Sequence, residues 1–417
     1  MRKISINIYN KFIQNESKAG IILILCIFIS IFIANSFLGA YFNDFLNLKI
    51  GFNLTSLNFD LNFSSLSWIN DGLMAIFFLY VGLEIKREVI AGELSSIKQA
   101  SLPIFAAVGG MLVPALLFAI INYKSNTATG WGIPMATDIA FAIGILSVLG
   151  SRVPNSLKIF LTALAIVDDL GAILVIAVFY TSDLHFIYLF FALGIFALQM
   201  ALNYFGVKKL VFYIIPGLAL WYFIHHSGIH ATIAGVLTAI AIPSTSSKRK
   251  HSPLEKLESL LGKPVSYIIM PLFALANTNI KFESEMLSAL TNPLGLGIIM
   301  GLFVGKPIGI TLASWLAIKL KFAKKPRAAN WKQVFGVGLL GGIGFTMSIF
   351  VSLLSFASPL FQLESKFSIL VASIISASAG YILLSYLSKK QKAVPQVETS
   401  KTVNVQQVAT NDLEFIL

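Results

Sequence analysis

The stretch AIVDDLGAI, residues 165–173, sets two adjacent carboxylates, Asp168 and Asp169, in a run from Ile159 to Tyr180 whose only other polar side chain is Thr162. At 1.5 Å per residue, about 20 apolar residues cross a hydrocarbon layer of roughly 30 Å, so the run has the length of a transmembrane helix. The two aspartates oppose insertion by roughly 5–7 kcal/mol, and the Leu, Ile, Val and Phe of the run return roughly 4–8 kcal/mol. The segment is near balance alone and needs neighbours that give the carboxylates a polar cavity. An ionisable group inside a membrane is by default a functional-site candidate.

The rest of the chain agrees. Of its 417 residues, 56% are hydrophobic and 12% charged, with a mean hydropathy of +0.81. This composition describes an all-α polytopic membrane protein, not a soluble enzyme. The single Cys26 leaves no internal disulfide. The basic, polar N-terminus has no cleavage motif after it, so the first apolar run is read as a retained helix. Hydropathy marks twelve spans, at about 17–37, 68–91, 101–122, 130–149, 157–180, 184–204, 208–225, 228–243, 264–280, 293–318, 333–357 and 364–388. With the N-terminus inside, all but five of the 31 Lys and Arg fall on inner segments. Lys49, Lys124, Lys281 and Lys366 fall outside, and Lys306 falls within a span. This asymmetry explains the net charge of +12 without nucleic acid and, with an even span count, places both termini of a multi-pass protein on the cytoplasmic side, with membrane lipids as its surroundings.

Residues 50–54 and 57–64 alternate apolar and polar, with Leu57, Phe59, Leu61 and Phe63 on one face, which predicts an extracytoplasmic β-hairpin over about 48–65. Its edge invites pairing, so a homodimer through the hairpin is one expectation and a hairpin lying on its own membrane domain the other. The tail, 389–417, has the composition of a disordered cytoplasmic segment, leaving 1–388 as the membrane domain. Spans three to five (about 101–180) run out of phase with spans ten to twelve (about 293–388). Each trio carries a Gly- or Pro-interrupted middle member, GWGIPMATDIAFAIG at 130–144 and GVGLLGGIGFTMSIF at 336–350. That pattern points to an inverted-topology repeat with two crossing discontinuous helices at a binding site.

Chemistry concentrates at these breaks. Pro134 cannot donate and pushes Ile133 toward an extended conformation, so Thr137 or Asp138 can cap a restarted helix. Gly341, Gly342 and Gly344 allow unwinding and close crossing in the other broken helix. Crossed half-helices bring like dipole ends together, which an acid at the positive ends and a base at the negative ends would relieve. Lys306, in LFVGKPIGI, supplies the base and requires a carboxylate partner. Adjacent residues on a helix point about 100° apart, so one of Asp168 and Asp169 faces a cavity and the other a fixed partner. Glu84, Arg87 and Glu88, in LEIKREV, form either a solvated helix face or a gate. His225, His226 and His230, in HHSGIHAT, lack the spacing of a zinc site and read as interface residues. SPLEKLESLLGKP, 252–264, reads as an amphipathic surface helix. The residues alone indicate proton-coupled cation transport and no enzyme. An intramembrane aspartic protease dyad and a passive cation channel are the alternatives.

ATDIAFA, AIVDDLGAI, GKPIG, GGIGFTMSIF, FLYVGLEIKRE and HHSGIHATIAG together resemble the NhaA-type sodium/proton antiporters of bacteria, over about residues 12–388. Antiporters of this type are among the examples behind the inverted-repeat rule used above. The resemblance implies twelve helices in a bacterial inner membrane and electrogenic export of Na⁺, with Li⁺ as a second cargo, in exchange for entering H⁺, serving pH and sodium homeostasis without a resident cofactor. It implies that Asp169 is the principal cation and proton site, so that Na⁺ sits at Asp168 and Asp169. Asp168 would pair with Lys306, and Asp138 and Thr137 would stand at the broken helix. Glu84, Arg87 and Glu88 would lie at the cytoplasmic funnel and His230 at a pH-responsive position. The stretch ANTNI, 276–280, departs from the smaller residues of the pattern.

Overall fold

The computed structural model describes residues 2–54, 59–181, 184–245, 252–282, 286–326 and 329–392. A first helix, α1 (Arg2–Ala34), turns sharply into α2 (Gly39–Asn47), the two meeting at 109°. Four two-residue strands follow, β1 (Lys49–Ile50), β2 (Asn53–Leu54), β3 (Phe59–Asp60) and β4 (Phe63–Ser64). β1 pairs antiparallel with β4 and β2 with β3 in one continuous register, Lys49 opposite Ser64 and Leu54 opposite Phe59. This is the predicted hairpin; its turn, 55–58, lies outside the described residues. Its base rests on the helices: Trp68 Nε1 donates to Ile50 O at 2.8 Å, and the Phe63 ring meets His225 edge-on at 4.8 Å.

The helices that carry the site are α3 (Ser65–Ala91), α4 (Ile97–Ile121), a 3-10 half-helix (Ala128–Met135) continued by α5 (Ile139–Val148), and α6 (Asn155–Phe179). Then come α7 (Phe186–Tyr204), α8 (Val211–His226), α9 (Ile233–Ala241), α10 (Pro253–Asn277) and α11 (Pro293–Lys319). The chain closes with α12 (Trp331–Gly341), α13 (Phe345–Ser355) and α14 (Pro359–Lys392). Among the described residues, eight helices are long and apolar enough to cross a membrane, or up to ten if each bent pair is one span. This is a multi-pass membrane protein. α9, at 9 residues, is about 13 Å long and falls short of a bilayer by itself.

Three expectations are corrected. Residues 253–264 are no separate surface helix: α10 runs on through Pro264, and its first turns bury Pro253, Leu254 and Leu257. Lys366 belongs to no outer loop; it lies within α14. The helix also continues through Lys389–Lys392, the start of the supposed tail; 393–417 lie outside the described residues.

α10 and α11 each widen into a π-turn, at Val265–Ile269 and Met300–Gly305. Both turns stand just upstream of a proline, Pro271 or Pro307. A proline has no N–H for the carbonyl four residues back and its ring crowds it, which a wider turn relieves. The tightest crossing is that of α4 with α11. A Cβ on Gly309 would lie 2.1 Å from Gly109 O, so these backbones touch as small-residue helix pairs do in membranes. Lys306 is one turn away on α11. Gly309→Ala should destabilise the fold by about 1–3 kcal/mol, since backbone, not a flexible side chain, must move. Gly144→Ala, where a Cβ meets nothing within 4 Å, should be neutral or slightly stabilising. Thermal unfolding in detergent compares the two.

A five-residue loop, 92–96, joins α3 to α4, so Glu84 and Ile97 share one end of the bundle. The same end holds a buried cluster of Leu102, Leu149, Leu157, Ala317 and Val334. The hairpin, Ala128, Tyr180 and Ser355 occupy the opposite end.

Candidate functional site

The site grows from two interrupted helices. Pro134 closes the 3-10 half-helix, and the chain leaves it extended at Ala136 (φ −76°, ψ 148°). Asp138 caps α5, its Oδ1 accepting from Phe141 N at 3.3 Å. The second break falls at Gly342–Gly344, where α12 and α13 bend by 49°. Gly342 and Gly344 have ordinary negative φ, −73° and −90°, so close approach, not a left-handed backbone, is what they provide. A Cβ on Gly342 would sit 2.3 Å from Leu302 O.

The breaks lie against each other. Thr137 Oγ1 donates to Gly341 O at 2.8 Å, Asp138 N to Ile343 O at 2.6 Å, and Ser348 Oγ to Ile133 O at 2.8 Å. Asp138 Oδ2 accepts from Thr346 N at 3.1 Å and also from Thr346 Oγ1. One carboxylate therefore caps the positive ends of both α5 and α13. At the negative end of the half-helix, Lys306 Nζ donates to Met135 O. The charges complement both dipole ends at the crossing.

Lys306 also donates to Asp168 Oδ2 at 2.7 Å, with both side chains essentially fully buried. Asp169, about 100° further around α6, turns instead toward a cavity of about 60 Å³ lined also by Asp138, Thr137, Thr346 and Glu84. Roughly 10–15 Å³ of such volume holds one water, so the space suits a few waters or a partly hydrated small cation. Asp169 Oδ1 accepts no hydrogen bond from the described residues, and neither does Asp168 Oδ1, but only Asp169 lines the cavity. A buried carboxylate oxygen in that condition is costly and reads as a ligand position. Oxygen donors of this kind fit small hard cations.

The remaining sequence candidates separate. Glu84 joins the cavity wall. Arg87 turns away, bonding Glu258 with Nε at 2.8 and 3.0 Å and Glu88 at 2.6 Å. His230 stands at the other end of α3, 3.4 Å from Asp71 Oδ1 and 2.8 Å from Thr232 Oγ1. His225 and His226 pack among Trp221, Tyr222 and Phe63, and no His, Cys, Asp or Glu group among the described residues has metal-binding geometry. Asn277, in the divergent ANTNI, exchanges amide hydrogen bonds with Asn70 at 2.7 and 3.3 Å. Sequence reasoning passed over Thr346 and Glu258. Thr346 was findable as the first hydroxyl after the Gly342–Gly344 break, whereas Glu258 pairs with a residue 171 positions away and carries no local signal.

A family model described as Na⁺/H⁺ antiporter 1 matches residues 10–384. The Na⁺/H⁺ antiporter NhaA 2 of Flavobacterium johnsoniae is 60% identical over 390 residues, 93% of this chain and 95% of that protein. The Na⁺/H⁺ antiporters NhaA of Flavobacterium psychrophilum and Pelagibacter ubique are each 50% identical over 383 residues, covering 92% and 91% of this chain and 97% of each relative.

Proposed function

Since the chain belongs to the Na⁺/H⁺ antiporter 1 family, we infer that it exchanges Na⁺ for H⁺ across a membrane, and we propose that Asp169 is the shared site. The observation that carries this reading is that Asp169, with an oxygen that accepts no hydrogen bond, lines the cavity, whereas Asp168 is tied through Oδ2 to Lys306 and does not line it. Protonated, Asp169 holds no cation; ionised, it holds Na⁺, with Asp168, Thr137 and Asp138 close by. Li⁺, smaller and harder, is a second cargo. Alternating exposure of one cavity to the two sides couples the flows.

The same reading includes twelve crossings, with α8 and α9 completing the count, and an inverted repeat of about 101–180 and 293–388, supported by breaks at matching places. It includes both termini on the cytoplasmic side of a bacterial inner membrane, by the distribution of Lys and Arg, and a homodimer through the hairpin. Glu84, Arg87 and Glu88 lie at the cytoplasmic mouth, Glu84 on the cavity wall and Arg87 paired with Glu88 and Glu258, with His230 contributing to pH response. A protease dyad is disfavoured because both Asp138 oxygens already accept hydrogen bonds.

Exchange is electrogenic in this account. When Na⁺ enters, either both aspartates or Asp169 and Lys306 release protons, so more H⁺ than Na⁺ moves. Proteoliposomes with an imposed pH gradient test the whole reading. Added Na⁺ should dissipate the gradient, and higher Na⁺ should restore the rate at acid pH. A potential set by K⁺ and valinomycin should shift the end-point by about 2.3 kcal/mol per net charge per 100 mV. Acid inhibition that saturating Na⁺ leaves intact would remove direct competition, and an end-point blind to potential would mean one proton per cation.

A further inference from the structure

Asp169, Ile173, Ile176 and Tyr180 recur at steps of four, three and four, which places them within about 60° of one another on one face of α6 and its C-terminal cap. That face leads from the cavity to the end of the bundle opposite Glu84. Ile173 and Ile176 are buried in the main apolar cluster, and Tyr180 stands at its margin. The Tyr180 hydroxyl is hydrogen-bonded to the half-helix. It donates to Thr129 O at 3.0 Å and accepts from Gly132 N at 3.3 Å, bridging α6 to the first turns of the half-helix. The fit depends on glycine, since a Cβ on Gly132 would lie 2.6 Å from that hydroxyl.

We propose that Tyr180 is the lock of the closed end: a positioning residue whose hydroxyl must leave Thr129 and Gly132 before Asp169 can be reached from that side. The same half-helix is held at its other extremity by Lys306 through Met135 O. α6 and the half-helix are thus joined at two points, once through Lys306 between Asp168 and Met135 O and once at the Tyr180 end, and any separation that opens the far side must break the second. A tyrosine of an interfacial aromatic belt would instead keep its hydroxyl among headgroups and water. The lock rests on the alternating-access reading above, and its test is built to fail separately from it.

In a Cys26→Ser background, Ile176→Cys places a thiol behind the lock. A membrane-impermeant maleimide added from the Tyr180 side should label it slowly. Tyr180→Phe, which keeps the ring and removes both hydrogen bonds, should raise that labelling about tenfold, as expected when two ordinary hydrogen bonds cease to favour the closed state. Gly132→Ala, which wedges the hydroxyl away, should do the same, and in both variants the Na⁺ concentration for half-maximal exchange at the Glu84 side should rise. Ile173→Cys serves if Ile176→Cys does not fold. Unchanged labelling in Tyr180→Phe overturns the proposal, including when exchange or thermal stability falls, because that result leaves Tyr180 a merely structural residue. An increase in labelling in a parent protein that shows no exchange would keep the lock and remove the antiport reading.

Discussion

Vesicles carrying Asp169→Asn are expected to show no Na⁺-dependent collapse of a pH gradient above protein-free background, while inserting at least as well as the parent. Asparagine nearly matches the shape of aspartate but neither carries charge nor exchanges a proton, so both halves of the coupled process are lost together. A unit charge about 4 Å from a cation at an effective dielectric constant near 20 contributes about 4 kcal/mol, which is roughly a thousandfold in affinity. Insertion should not suffer, because the substitution removes a charge that costs about 2.5–3.5 kcal/mol to place in a membrane. Near-parental exchange by this variant would move the site elsewhere, with Asp138 and Glu84 the other acids on the cavity wall.

The second large effect belongs to the Asp168–Lys306 pair. Removing either partner leaves the other charge fully buried, and Lys306→Gln also weakens the bond to Met135 O. Each single neutral substitution should cost about 3–5 kcal/mol of stability. The double variant Asp168→Asn, Lys306→Gln should be clearly more stable than the sum of the two losses predicts, because no unpaired charge remains. Thermal unfolding of the four proteins in one detergent closes the cycle; additive losses would mean that the contact at 2.7 Å carries no coupling. Run on the same set, the potential-dependent exchange assay asks whether Lys306 releases a proton. Electrogenicity lost with Lys306→Gln implicates it, and electrogenicity kept leaves the two aspartates.

Much of this protein was legible before any coordinates. Long apolar runs separated by basic loops leave only helices with internally satisfied backbones. Pro134 and Gly342–Gly344 marked both interruptions, since these residue types alter local backbone bonding or packing whatever surrounds them. The 100° step between Asp168 and Asp169 required them to have different neighbours, although which residue took which neighbour came only from the resemblance. The alternation in 50–54 and 57–64 predicted the hairpin because side-chain period follows directly from strand geometry.

Tertiary structure decided what depends on residues far apart in the chain. That Asp138 caps two helices follows from Thr346, 208 positions away, being carried to it by the crossing of the breaks. The ion pair spans 138 positions and depends on the approach of α4 to α11, where two glycine backbones touch. Arg87 and Glu88 looked like members of one polar group with Glu84, yet packing joined Arg87 to Glu258 and Glu88, and set His230 beside Asp71. The surface helix expected at 252–264 became the start of a long one, because amphipathic periodicity shows that one face is apolar but not what covers it. Sequence determines local geometry and the cost of burying each group; which groups meet, and so which carboxylate oxygen is left for a cation, is set by the packing of the whole bundle.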